Sequence, residues 1–121
     1  MNFVVLGRDR PGGEARARHR ADHLGYVEGH QARIIYAGPL LEAGRMVGSL
    51  FVFDVPDRAA LDSYLAGDPY FNPGIFVSVD IWESRWMVPE REPGFLAAEA
   101  ERARGQSPDL GQSPAPLAGM D

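Results

Sequence analysis

The sequence predicts an α+β domain in which two helices back a four-stranded antiparallel sheet, connected strand, helix, strand, strand, helix, strand. Three observations predict it. Short apolar runs bounded by Gly, Pro or Asp have strand character, and proline-free segments between them have helical character. The two middle runs are joined by Glu42-Ala43-Gly44-Arg45, a link short enough for a hairpin. A chain of 121 residues with 45% hydrophobic and 24% charged residues is of a size and composition that buries one core.

Phe3 to Arg8 forms the first strand, closed by the turn residues Arg10-Pro11-Gly12-Gly13. Glu14 to about Gln31 reads as a helix, with Gly25 and Gly29 weakening its end. Arg33 to Ala37 is expected to be a strand that stops at Gly38-Pro39. Met46 to Val55 is expected to be the third strand. Asp57 to Leu65 is a short helix with Asp57 as N-cap and Ala60, Leu61, Tyr64 and Leu65 at helical spacing. The last strand is expected over Ile75 to Val88, with Trp82 and Trp86 on one of its faces.

From Pro89 the character changes, with five Pro, four Gly and six acids against three Arg in residues 89–121. The domain is therefore placed at residues 1–88 and the rest is treated as a C-terminal tail. A short Ala-rich helix is expected at 94–104, because Arg102 and Arg104 complement its dipole. Gln106 to Asp121 has too little apolar surface to offset its ordering entropy and is expected to be disordered.

The strands are apolar on both faces. In Leu50-Phe51-Val52-Phe53, Leu50 and Val52 point one way and Phe51 and Phe53 the other, and Phe3 to Leu6 repeats the pattern. Two helices cover only one face, so the second must meet another layer. A second copy of the chain is the economical source, and a homodimer packed sheet to sheet is expected.

Composition narrows the partners. A net charge of −5 without an arginine–aromatic cluster argues against nucleic acid and anionic membrane surfaces, and no run approaches the length of a membrane span. The opening segment lacks the features of a signal peptide, so the expected location is the cytoplasm. Without cysteine there is no thiolate nucleophile and no Cys-ligated metal. All 12 basic residues are Arg, so the lysine of a phosphate-binding P-loop is absent too.

The first helix carries all three histidines, His19, His23 and His30. His19 and His23 have a four-residue spacing that suits zinc, but no Glu follows the first and no third ligand is evident, so no metal is expected. Arg20 and His23 are neighbours on the helix surface, which would set a cation beside a titratable base. Asp68-Pro69-Tyr70 follows the second helix. Asp68 suits capping of a turn that begins with Pro69, or orientation of His23 as a carboxylate orients an imidazole base, and spacing leaves both readings open. Gly48-Ser49 marks either a close backbone approach or merely a strand entry. Ser49 lacks the context of a nucleophile elbow. Arg8 is either a solvated strand end or an anion-binding residue.

In order, Arg20-x-x-His23-Leu24, Ala37-Gly38-Pro39-Leu40, Gly48-Ser49 and Asp68-Pro69-Tyr70 followed by Gly74 form a set that resembles the YciI-like (YCII-related) family over nearly all of residues 1–88. The resemblance implies a ferredoxin-like fold whose dimer is an α+β barrel. It also implies an active site made by His23 and Asp68, with Arg20, Gly48, Ser49 and Tyr70 in the substrate pocket. The family looks related to muconolactone isomerases and includes dehydrochlorinase activity on hydroxylated aromatics. The expectation is a cofactor-independent isomerase or lyase in which a His23–Asp68 dyad performs acid–base chemistry on a small, cyclic or aromatic anion. The alternatives are a non-catalytic dimer that binds a small ligand in the same pocket and, by analogy of fold, a cofactor-independent oxygenase.

Overall fold

A computed structural model of the chain describes residues 1–106. Met1–Arg85 is one compact unit and Trp86 begins a second. The first contains β1 (Asn2–Asp9), α1 (Glu14–Glu28), β2 (Ile34–Glu42), β3 (Arg45–Asp54), α2 (Arg58–Gly67) and β4 (Phe76–Ser84). All pairings are antiparallel and the strand order is β2-β3-β1-β4. The chain therefore has the α+β, ferredoxin-like architecture expected of it.

Register sorts the two faces. Phe3 pairs with Phe53 and Val5 with Phe51, and these four side chains are buried together with Val55 and with Leu61 and Tyr64 of α2. Their alternates, Val4 with Val52 and Leu6 with Leu50, lie on the opposite face and are half-buried. Tyr36, Leu40 and Trp82 share that face by register and are 60%, 37% and 51% exposed. Because burying apolar side chains is the main stabilising term in folding, the α2 side carries the core of this unit.

Local chemistry explains the element ends. Gly12 and Gly13 take the left-handed conformation (φ 100° and 80°), open to glycine at little cost, and turn the chain from β1 into α1. α1 stops at Glu28, three residues before Gln31, where the N–H groups of Gly29 and His30 donate to the carbonyls of Tyr26 and Val27. Asp57 caps α2 by accepting a 2.9 Å bond from the Ala60 N–H.

Two strands differ from expectation. β2 does not stop at Gly38-Pro39 but runs on to Glu42. It is an edge strand, and an edge tolerates a proline because one row of its N–H groups has no partner to lose. β4 ends at Ser84 rather than Val88, because its partner β1 ends there, with Asn2 opposite Ser84. Trp86 therefore does not share a strand face with Trp82.

In the second unit, the Trp86 indole donates to the Pro89 carbonyl (2.6 Å) and Arg91 lies 3.8 Å over its ring. α3 (Phe95–Arg104) starts after Gly94, and the Glu90 carboxylate accepts from the N–H groups of Gly94 and Leu96. The disorder expected for Gln106 to Asp121 falls, from residue 107 on, outside the described residues. Among those residues no helix is long and apolar enough to cross a membrane.

Candidate active site

α1 has an unusual inner face. An amphipathic helix normally lays Leu, Val or Ile on the core, but the two buried residues of α1 are Arg16 and His23. They are seven residues apart and thus nearly in line, with Arg20 between them and Val27 one turn on. α2 ends beside this stripe and delivers Asp68.

Asp68 is fully buried and its carboxylate accepts three hydrogen bonds. Oδ1 takes His23 Nδ1 at 2.8 Å and the Tyr70 N–H at 2.9 Å, and Oδ2 takes the Tyr64 hydroxyl at 2.9 Å. Asp68 makes contacts of both kinds that the sequence left open. It shapes the turn after α2 through Tyr70, and through its own carbonyl, which accepts from Phe71 and Asn72 at 2.8 Å each, and it also meets His23. A carboxylate acceptor requires a proton on His23 Nδ1, so in the neutral imidazole the lone pair is on Nε2. Burial, then the Asp68 charge and hydrogen bond, push the Tyr64 phenol far above the ordinary tyrosine range, so it stays a neutral donor. The Tyr26 phenol is raised for the first two of these reasons.

Ring contacts hold His23 on its other sides. Tyr70 stacks on it with centroids 3.7 Å apart and planes within 5°, and Phe51 meets it edge-on at 5.9 Å. His23 is 7% exposed and forms part of the wall of a cavity of about 160 Å³, with Arg16, Arg20 and Leu24 from α1 and Pro39, Ser49 and Phe51 from the sheet. A space of about 150 Å³ accommodates a benzene-sized ring.

Arg16, which the sequence reading did not single out, organises the other end of this site. It is 6% exposed and grips Asp9 through two bonds of 2.6 and 2.9 Å. It also donates to the Gly48 carbonyl and to Ser49 Oγ, both at 2.8 Å, and lies 5.0 Å over the Tyr70 ring. Burial disfavours its charge, but the bonds and charge of Asp9, with a smaller contribution from the Tyr70 hydroxyl, outweigh that, so its pKa is raised. The signal for it was the stripe itself, two arginines and a histidine where core residues belong.

The other sequence candidates separate. Tyr70 and Ser49 line the cavity, and the buried Tyr70 hydroxyl lies beside the Arg16 guanidinium without a hydrogen bond of ordinary length among the described residues. Arg20 also lines it and donates to Met46 Sδ at 3.7 Å. Gly48 is buried but not on the cavity wall. A Cβ there would come within 2.4 Å of the Gly7 carbonyl oxygen, so its lack of a side chain serves strand approach. His30 bonds its own helix at the Tyr26 carbonyl and stacks on Tyr26, and His19 is half-buried outside the site.

Fold and site together define a ferredoxin-like α+β protein with a ring-sized cavity and a buried histidine–carboxylate pair in its wall. Comparison with known proteins places it further. The chain belongs to the YCII-related domain family, whose model matches residues 1–85. It is similar to the solved 5-chloro-2-hydroxyhydroquinone dehydrochlorinase (TftG) of Burkholderia phenoliruptrix AC1100, a complex with 2,5-dihydroxybenzoquinone. Identity is 31% and the TM-score 0.63, over 72% of this chain and 94% of that one. Atu4242 of Agrobacterium tumefaciens (13% identity, TM-score 0.51, 75% of this chain and 98% of that one) shares the fold. So does Rv0793 of Mycobacterium tuberculosis (17%, 0.50, 73% and 99%). No curated protein matches the chain.

Proposed function

We propose that the chain is a cofactor-independent enzyme that moves a proton on or off carbon in a small cyclic or aromatic anion, as an isomerase or a dehydrochlorinase-type lyase. The observation that carries this reading is the 2.8 Å His23–Asp68 pair in the wall of a ring-sized cavity. Asp68 fixes the tautomer, so Nε2 acts as the base that takes a proton and then as the acid that returns it. In a lyase reaction on a chlorinated hydroxyaromatic, Nε2 carries a hydroxyl proton to the chlorine-bearing ring carbon, which becomes sp3. A second hydroxyl then loses its proton to solvent, and its electron pair, passed through the ring, expels chloride and leaves a quinone. Arg20, on the cavity wall and without a carboxylate partner among the described residues, holds the negative charge of the substrate. Ser49 Oγ accepts from Arg16, which leaves its own O–H to donate to a substrate oxygen, as Tyr70 can. Likeness to a dehydrochlorinase at 31% identity supports the substrate class.

The same reading includes a homodimer closed sheet to sheet, supported by the exposed Tyr36, Leu40 and Trp82 beside half-buried Val4, Leu6, Leu50 and Val52. Light scattering at micromolar concentration should give twice the chain mass, and a monomer would remove the dimer.

The test of the chemistry is a screen of chlorinated hydroxyhydroquinones and ring lactones with wild type and His23→Ala. Turnover should fall by about 10²- to 10⁴-fold with the fold intact. Full activity in the variant would overturn the mechanism, and tight ligand binding without turnover in either protein would assign a binding protein instead.

A further inference from the structure

A second, larger cavity of about 560 Å³ opens where the β1–α1 loop faces the β2–β3 hairpin. Its wall holds Arg8, Arg10, Arg16, Arg20 and Arg45 against two carboxylates, Asp9 and Glu42. This is a concentration of positive charge in a chain whose formal net charge is −5. Asp9 is already committed to Arg16. Arg8, Arg10, Arg20 and Arg45 have no carboxylate partner among the described residues. A guanidinium presents a planar fork of donors that matches a carboxylate or phosphate, and several around one concavity focus the field on an anion. Gly12 and Gly13, also on this wall, lead into the N-terminus of α1, which has no side-chain cap. Glu14, in the first turn, brings its carboxylate close to Gly12, so the guanidinium groups rather than the helix end carry the site.

Arg16 and Arg20 belong to both cavities, so the arginine-lined space and the ring-sized space at His23 share a wall. The buried Tyr70 hydroxyl in the smaller one lies beside the Arg16 guanidinium that both cavities share and makes no hydrogen bond of ordinary length among the described residues, so it can donate to a ligand oxygen there. We propose that the arginine-lined cavity is a recognition site for a compact dianionic group, a phosphate ester or a dicarboxylate, borne by the molecule whose ring sits at His23. The proposal rests on the reading of the His23 cavity as the reacting site. It adds that the substrate carries its acid group on an arm, outside the ring pocket.

The test reads anion binding rather than turnover, so it can fail without touching the dyad. Inorganic phosphate and succinate are titrated by calorimetry at low ionic strength into wild type, Arg8→Gln/Arg45→Gln and His23→Asn. Arg8 and Arg45 are exposed and bear no ion pair, so their removal leaves the fold intact, which an unchanged melting temperature checks. Wild type should bind at least one anion saturably, the arginine variant should bind at least about tenfold more weakly, and His23→Asn should bind as wild type does. Added salt should weaken binding, since the charges are exposed. Preference for phosphate assigns a phosphate ester, and preference for succinate a dicarboxylate. No saturation below about 10 mM in wild type, or equal affinity in the arginine variant, would overturn the proposal.

Discussion

Replacing Asp68 by Asn keeps the shape of the side chain and removes its charge, which isolates what the carboxylate does. Three donors converge on it in a fully buried setting: His23 Nδ1, the Tyr64 hydroxyl and the Tyr70 N–H. A hydrogen bond to a charged group contributes roughly 1.5–3 kcal/mol and a neutral one about 0.5–1.5, so the change weakens each by about 1 kcal/mol. Part of that loss is offset, because the amide no longer requires a desolvated charge, and the net cost is about 1–3 kcal/mol. For a domain of this size that is a fall of about 10 °C in melting temperature. Urea denaturation measures the stability, and nitrogen-15 NMR of the imidazole reads the tautomer. Wild type should show Nδ1–H. The Asn variant should show a mixture or Nε2–H, because the amide can now donate to Nδ1 as well as accept from it. Asp68→Ala should cost more than Asn, since it leaves three buried donors without an acceptor. Unchanged stability together with an unchanged tautomer in Asp68→Asn would refute the reasoning. The carboxylate would then not be the charged partner of His23.

Two further outcomes test the frame around the site. Gly48→Ala should cost about 1–3 kcal/mol in urea denaturation, because the new methyl meets the backbone oxygen of Gly7 at 2.4 Å, and β1 moves less readily than a flexible side chain. Stability should also decline in alkali. The folded protein holds the Tyr64 proton far more tightly than the ordinary value of 10.0. This contribution is complete below that pH and is lost as the unfolded chain deprotonates above it. Tyr64→Phe should therefore be less stable at neutral pH, yet should lose less between about pH 9 and about pH 11, with Tyr26 as the remaining contributor. Equal slopes for both proteins would show that the Tyr64 proton is not held by the fold.

Periodicity and turn residues made most of the sheet legible in the sequence. β3 reads as a strand because Met46 to Val55 is apolar and β-branched, and α2 reads as a helix because Asp57 is followed by Ala60, Leu61 and Tyr64 at helical spacing. Both are local signals. The lengths of β2 and β4 were not local. β2 passes through Gly38-Pro39 because it lies at the sheet edge, and β4 stops at Ser84, opposite Asn2, where its pairing with β1 ends. No sequence window contains a partner strand, so those ends are decided only when the sheet forms.

The same division runs through the candidate site. Sequence by itself determined which chemistry is on hand: no cysteine, no lysine, three histidines on one helix, and an Asp-Pro-Tyr segment after another. Residue order and spacing also sufficed to single out His23 and Asp68 by resemblance. Only the tertiary structure decided that these two, 45 residues apart in the chain, meet at 2.8 Å while His19 and His30 do not share the site. Arg16 shows the reason most clearly. By composition it is one of 12 arginines, and on a helix drawn alone it belongs to a polar stripe that suits solvent. Folding turns that stripe onto the sheet, where Asp9, Gly48, Ser49 and Tyr70 give the buried guanidinium its partners. A charged residue tolerates burial only where such partners converge, and they come from three segments distant in sequence that the antiparallel pairing of β1 with β3 and the turn after α2 bring together.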